Sequence, residues 1–180
     1  MSSAPIITTA RLTLRPLNLG DFEPLAEFYA SERSKYVGGP MTAEQTWRAM
    51  ASEIGHWSLR GYGRWAVDVT KSGRFAGIVG LWNPHGWPEP ELGWDLMNGH
   101  EGRGYATEAA LAARDHAYQT LGWTTLISLI RNKNAGSLGV AKRLGTKYEG
   151  QFTHERHGDM QVWRHPSPEA LSDGGIEAYA

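Results

Sequence analysis

Cysteine is absent from the 180 residues, which excludes disulfides, thiolate metal sites and a cysteine-borne acyl intermediate, and suits a reducing compartment as well as any other. An excess of charge is missing too: eighteen Lys and Arg against nineteen Asp and Glu leave a formal net charge of −1. That balance supplies no broad field for steering onto nucleic acid or an anionic membrane, so neither is expected as a partner. Met1 to Thr9 has neither the basic cluster nor the apolar stretch of a secretion signal, and no apolar run approaches membrane-spanning length, which makes the cytoplasm the default location. His154 and His157 stand at a ligand-like spacing without a third ligand in evidence, so no metal is expected.

What the chain does have is glycine and tryptophan, twenty-two and eight residues, with the tryptophans crowded into the middle third. Aromatic pockets fit that pattern, and so does an ordinary aromatic core. The length fits a single domain over residues 1–180, with a core over about 8–165 and a polar, Ser-, Gly- and Pro-rich tail over 166–180 that reads as frayed.

Arg11 to Leu17 alternates polar and apolar residues, the period of a half-buried strand. Asp21 is placed to cap a helix carrying Phe22, Leu25, Ala26 and Tyr29, and Thr42 with Gln45 forms a capping-box pattern for a second helix reaching to about Trp57. Arg64 to Thr70 and Arg74 to Trp82 read as an antiparallel hairpin, and Glu91 to Met97 as a fourth strand after the loop Asn83 to Pro90. A helix over Gly104 to Leu121 bears a small-residue stripe, Ala106, Ala109, Ala110, Ala113 and Ala117. A fifth strand, Thr124 to Ile130, a helix over Ala135 to Leu144 and a hairpin of Lys147 to Thr153 with Met160 to His165 complete the order.

The stretch His100 to Ala110 places Gly102 and Gly104 between the fourth strand and the alanine-rich helix. The first turn of a helix has N–H groups with no partner inside it, the dipole adds partial positive charge there, and residues lacking Cβ let an anion come close. A ligand-free turn is the plain alternative. A dinucleotide turn fits less well, since the third glycine and any Gly-Lys-Ser/Thr are missing and the glycines follow an antiparallel meander.

The run Glu101-Gly102-Arg103-Gly104-Tyr105-Ala106 after the fourth strand and Asn134-Ala135-Gly136-Ser137 after the fifth resembles the GNAT superfamily of N-acetyltransferases over roughly residues 8 to 165. The opening Thr9 to Arg15, the Gly-Tyr-Ala-Thr-Glu-Ala run and the Asn-x-x-Ser pair are similar to the group containing the RimJ and RimL ribosomal-protein N-terminal acetyltransferases. The resemblance implies an α/β (mixed α+β) fold, its mostly antiparallel sheet splayed between strands four and five and flanked by helices. It implies acetyl-CoA as co-substrate, and as acceptor a primary amine on a protein N-terminus or a small molecule. A homodimer is open.

By the same resemblance Leu96, Met97 and Asn98 pair with the pantetheine arm like an added strand, while Gly102, Arg103, Gly104, Tyr105, Ala106 and Thr107 hold the diphosphate. The family pattern has Gln or Arg where Glu101 stands, so that side chain is expected to turn away from the phosphates. Asn134 matches the asparagine that bonds the cofactor arm, and Ser137 the serine beside the sulfur, a hydrogen-bond donor to the leaving thiolate. Backbone N–H groups near Leu96 and Met97 are candidates for stabilising the oxyanion. Glu91, on the same strand face as Asp95, is the candidate base, with Glu89 and His85 as rivals. His85, Trp87 and Trp57 are expected to wall the acceptor pocket. The alternative function is a catalytically inactive acetyl-CoA-binding sensor.

Overall fold

The computed structural model describes residues 4–174. Its centre is an eight-stranded sheet in the order β1-β2-β3-β4-β5-β6-β8-β7. β1 (Ile7–Thr8) pairs with β2 (Leu12–Arg15), and the sheet continues through β3 (Arg64–Val69), β4 (Arg74–Trp82) and β5 (Glu91–Leu96) by antiparallel neighbours. β5 lies parallel to β6 (Ile127–Ile130), and β7 (Lys147–His154) and β8 (Gly158–Arg164) close the far edge as a hairpin. The short β1 was not expected, so the fourth and fifth strands of the sequence are β5 and β6.

Strand alternation sorts the two faces. Leu12, Leu14, Val79, Leu81, Leu92 and Trp94 bury against the helix α3 (Tyr105–Asp115), whose Ala106, Ala109, Ala110 and Ala113 are at most 5 % exposed. Four alanines let the helix axis sit close to the strands, and α4 (Ala135–Arg143) adds Val140 and Ala141 to the same core. The opposite face carries a smaller cluster of Leu25, Phe28, Tyr29, Met50, Ile78 and Met97, built with α1 (Phe22–Ala30) and α2 (Ala43–Arg60). Thr42 and Gln45 do form the capping box of α2.

Local expectations needed correction where long-range contacts intervene. Asp21 does not cap α1 with its side chain; its carboxylate accepts from the Asn18 N–H in the capping box of the preceding turn, and the Arg15 guanidinium binds both of its oxygens. The helix α3 ends at Asp115 and continues as a wider turn over His116–Thr120. The stretch expected to fray contains a short helix, α5 (Pro168–Gly174), and residues 175–180 lie outside the described residues.

Candidate active site

β5 and β6 share a single register pair, Glu91 with Ile127, and then diverge. At the fork, side chains take over the ladder: the Leu129 N–H donates to Glu91 Oε1 at 3.2 Å, and Ser128 Oγ donates to the Leu92 carbonyl at 2.6 Å. Beyond it, the Met97 N–H donates to Ala76 O on the β4 side at 2.9 Å. Alternation along a strand therefore turns the N–H groups of Trp94 and Leu96 away from β4, into the opening. Met97 is thereby corrected as a candidate: its N–H is spent on Ala76, its carbonyl accepts from His100, and its side chain is 5 % exposed in the smaller core.

The loop after β5 forms the cradle. Gly102 and Gly104 have φ of +69° and +78°, and α3 begins directly after them. The first helical bond runs from the Glu108 N–H to Gly104 O, and no side chain caps α3, whereas Asn134 Oδ1 caps α4 by accepting from the Ser137 N–H at 3.2 Å. The amides of Tyr105, Ala106 and Thr107 are thus the uncapped first-turn donors. A Cβ on Gly102 would meet nothing within 4 Å, while one on Gly104 would stand 3.2 Å from Arg11 Nη2. Arg103 is exposed and its carbonyl accepts from Arg11. Arg143 reaches over from α4 to donate to Thr107 Oγ1 at 3.2 Å.

Glu101 forms an ion pair with Arg33, which sits in the turn Glu32–Tyr36 after α1. The same guanidinium donates to Asn98 Oδ1 and, at 3.3 Å, to the Leu96 carbonyl. The carboxylate is therefore neutralised beside the cradle. A groove of about 740 Å³ shares Gly104, Thr107 and Arg143 with the cradle and runs down the outer side of α3 to Thr120, away from the fork residues. Uncapped amides without Cβ obstruction, flanked by arginines and opening toward diverging strands, fit a phosphate-bearing cofactor with an extended arm.

Ser137, in the first turn of α4, meets β5 through Trp94. Its Oγ accepts a 3.2 Å hydrogen bond from Trp94 Nε1, which occupies an oxygen lone pair and leaves the hydroxyl proton free to be donated. Glu91 lies on the face opposite Trp94, with its carboxylate held at the fork. Trp87 Nε1 donates to its Oε2 at 2.6 Å, and burial pushes the group up to about 7 despite that bond and the one from Leu129. Trp87 itself packs against His154 at the end of β7 and His157 of the β7–β8 turn. Glu89, the rival base, is gripped by both Nη atoms of Arg164, which lowers its affinity for a proton. His85 is exposed. Trp57 is corrected from pocket wall to core: it is 6 % exposed, packs edge-on against Trp65 and donates to Arg64 O.

Beside Glu91 lies a buried charge network that the sequence reading missed. Arg64 donates to Glu53 and, at 2.8 Å, to Asp95, and Tyr29 OH donates to Asp95 at 3.0 Å. Burial alone would lower the guanidinium, but Glu53 and Asp95 outweigh it. A signal was present: the buried residues of α2 are Thr46, Met50, Glu53, His56 and Trp57, so Glu53 is a carboxylate on an inward stripe.

The chain is similar in sequence and fold to known proteins. A family model described as an acetyltransferase (GNAT) domain matches residues 11–147. A solved acetyltransferase from Agrobacterium tumefaciens is 40 % identical with a TM-score of 0.84, covering 91 % of this chain and 95 % of its own. The uncharacterized N-acetyltransferase p20 of Bacillus licheniformis is 28 % identical over 148 residues, 79 % of this chain and 82 % of that protein. Two further structures share the fold at 16 % identity. RimL, a ribosomal L7/L12 alpha-N-protein acetyltransferase, has a TM-score of 0.72 over 90 % of this chain and 94 % of its own. Mycobacterium smegmatis RimJ, in complex with CoA-disulfide, has 0.71 over 98 % and 90 %.

Proposed function

The chain belongs to the GNAT acetyltransferase family, and from that premise we propose that it moves an acetyl group from acetyl-CoA to a primary amine by direct attack in a ternary complex. The observation that carries this reading is the divergence of β5 from β6 at Glu91. One opening then has a carboxyl poised near neutrality on the α1/α2 face, inward backbone N–H groups along its edge, and the Ser137 hydroxyl on the α3/α4 side.

The thioester, when bound, supplies an activated carbonyl and a good leaving group. The cradle amides of Tyr105, Ala106 and Thr107, with Arg143 close by, hold phosphate, and the inward edge of β5 lines the arm. Glu91 in its ionised form takes the amine proton, directly or through water, as the C–N bond forms. The Leu96 N–H faces the oxygen on which charge develops. As the C–S bond breaks, Ser137 donates a hydrogen bond to the sulfur and Trp94 keeps that hydroxyl oriented. Much of the rate comes from holding amine and thioester together.

The acceptor we favour is the α-amine of a protein N-terminus or another amine that is not a polycation. Lys35, Arg131 and Lys133 line a cleft of about 410 Å³ between the turn after α1 and the end of β6, with no carboxylate in its wall. RimL carries a name that assigns it such a protein substrate.

The test is release of free thiol from acetyl-CoA across a panel of N-terminal peptides, amino acids, polyamines and aminoglycosides, with Gly104→Glu as control. Turnover with one class, abolished in Gly104→Glu, is expected. Binding of acetyl-CoA without turnover of any amine would favour the sensor instead.

A further inference from the structure

An acidic residue at the head of a phosphate cradle is an electrostatic misfit, and Arg33 answers it from a different part of the chain. Glu101 lies three residues before Gly104, and its carboxylate would repel a diphosphate entering the same loop. Arg33, 68 positions earlier, places its guanidinium on that carboxylate, on Asn98 Oδ1 and on the Leu96 carbonyl, and its carbon centre sits 5.3 Å from the centroid of the Phe28 ring. Phe28 is 4 % exposed, so the stacking surface is rigid, while the Arg33 side chain keeps 38 % of its surface open. A guanidinium has five N–H donors, and these contacts leave the Nε–H and one Nη1–H unengaged.

Resting on the acetyl-CoA reading above, we propose that Arg33 is a diphosphate-binding residue of this chain, and that Glu101 is a positioning residue that aims it. The pair brings the corner from a repulsive charge of −1 to zero while directing spare N–H groups toward the phosphates. Glu101 is then not a defect of the cradle but half of a device spanning the loop after β5 and the turn after α1. Planar, bidentate geometry suits arginine to this task and suits lysine poorly.

The pair and the cradle make separable predictions for binding, measured by calorimetry with CoA and with pantetheine, which lacks the diphosphate. Arg33→Ala leaves Glu101 bare and should weaken CoA by about tenfold or more, a loss of one charge-assisted contact plus an unmasked repulsion, with pantetheine unchanged. The double variant Arg33→Ala/Glu101→Gln should recover only in part, to between Arg33→Ala and wild type, because the repulsion is gone while the contact stays lost. Glu101→Gln alone should weaken CoA by less than Arg33→Ala does, because the guanidinium loses its aim but keeps its charge, with pantetheine unchanged and a steeper salt dependence from the released guanidinium. Equal weakening of CoA and pantetheine by Arg33→Ala would mark Arg33 as structural and overturn the proposal alone. So would a double variant no better than Arg33→Ala. Wild-type protein that binds pantetheine as well as CoA would also overturn it, and binding neither would remove the acetyl-CoA reading together with it.

Discussion

A carboxyl group shut away from water between two diverging strands holds its proton longer than one in solvent, and Glu91 is raised to about 7 chiefly by that burial. As a base it works only when ionised, so kcat/KM should climb with pH through about 7 and level off above. Glu91→Gln should flatten that limb and cut kcat by roughly 100-fold, leaving the KM for acetyl-CoA near wild type. Stability runs the other way. The unfolded chain ionises this group near 4.5, so between 4.5 and about 7 the folded state holds the extra proton, and stability is lost as pH rises through that window. Urea unfolding of Glu91→Gln should lose that component of the pH dependence, on the order of 3 kcal/mol at most. Across the opening, Ser137→Ala should cost about tenfold in kcat, the worth of one hydrogen bond to a thiolate that already leaves well. Trp94 acts on the reaction only through that serine, so Ser137→Ala/Trp94→Phe should be no slower than Ser137→Ala.

At the scale of elements, a buried relay ties the sheet to α3. The Ser128 proton goes to Leu92 O, so Ser128 Oγ accepts from His165 Nε2 at 3.0 Å, and the Nδ1 of the same ring is left to accept from Arg114 of α3. His165 is neutral for that reason and is held down to about 3, first by burial and then by Arg114 and Arg164. An unfolded histidine takes a proton below 6.5 while this one does not until about 3, so the unfolded state binds more protons and stability falls as pH falls through that interval. His165→Phe should be less stable than wild type at pH 7 yet lose less on going to pH 5, by urea midpoints. Period and composition made the elements legible in the sequence: the alanine stripe, the Thr42/Gln45 cap and the β3–β4 hairpin depend on neighbours in the chain. The glycine turn before α3 and the Asn134–Ser137 start of α4 were legible as local patterns. Arg33, Arg64 and Trp94 were not, because each acts on a partner distant in sequence. The resemblance that offered Met97 does not say which alternate N–H a neighbouring strand consumes, and Ala76 takes this one; an aromatic on a helical stripe such as Trp57 reads equally as wall or core.

Taken whole, the molecule is almost neutral, yet its charges are segregated at the opening. Carboxylates near Glu91 are committed to arginines: the buried Glu53 and Asp95 to Arg64, and the half-buried Glu89 to Arg164. The cations Lys35, Arg131 and Lys133 instead line an open cleft where the turn after α1 meets the end of β6. Arg33 on that turn bonds the end of β5, which links the cleft's turn to the strand that diverges from β6. A polyamine entering there brings several positive charges to a cationic rim, whereas a peptide with Asp or Glu just after its first residue is drawn in, an effect carried mostly by encounter and weakened by salt. At low ionic strength kcat/KM should therefore favour an acidic N-terminal peptide over spermidine by about tenfold or more, and the gap should narrow as salt is added. Lys35→Glu with Lys133→Glu should reduce or invert the preference through the acceptor KM, with the KM for acetyl-CoA unmoved. If that substitution changed the acetyl-CoA term instead, the rim would belong to the nucleotide, and the acceptor would have to be recognised by the Trp87, His154 and His157 cluster beside Glu91.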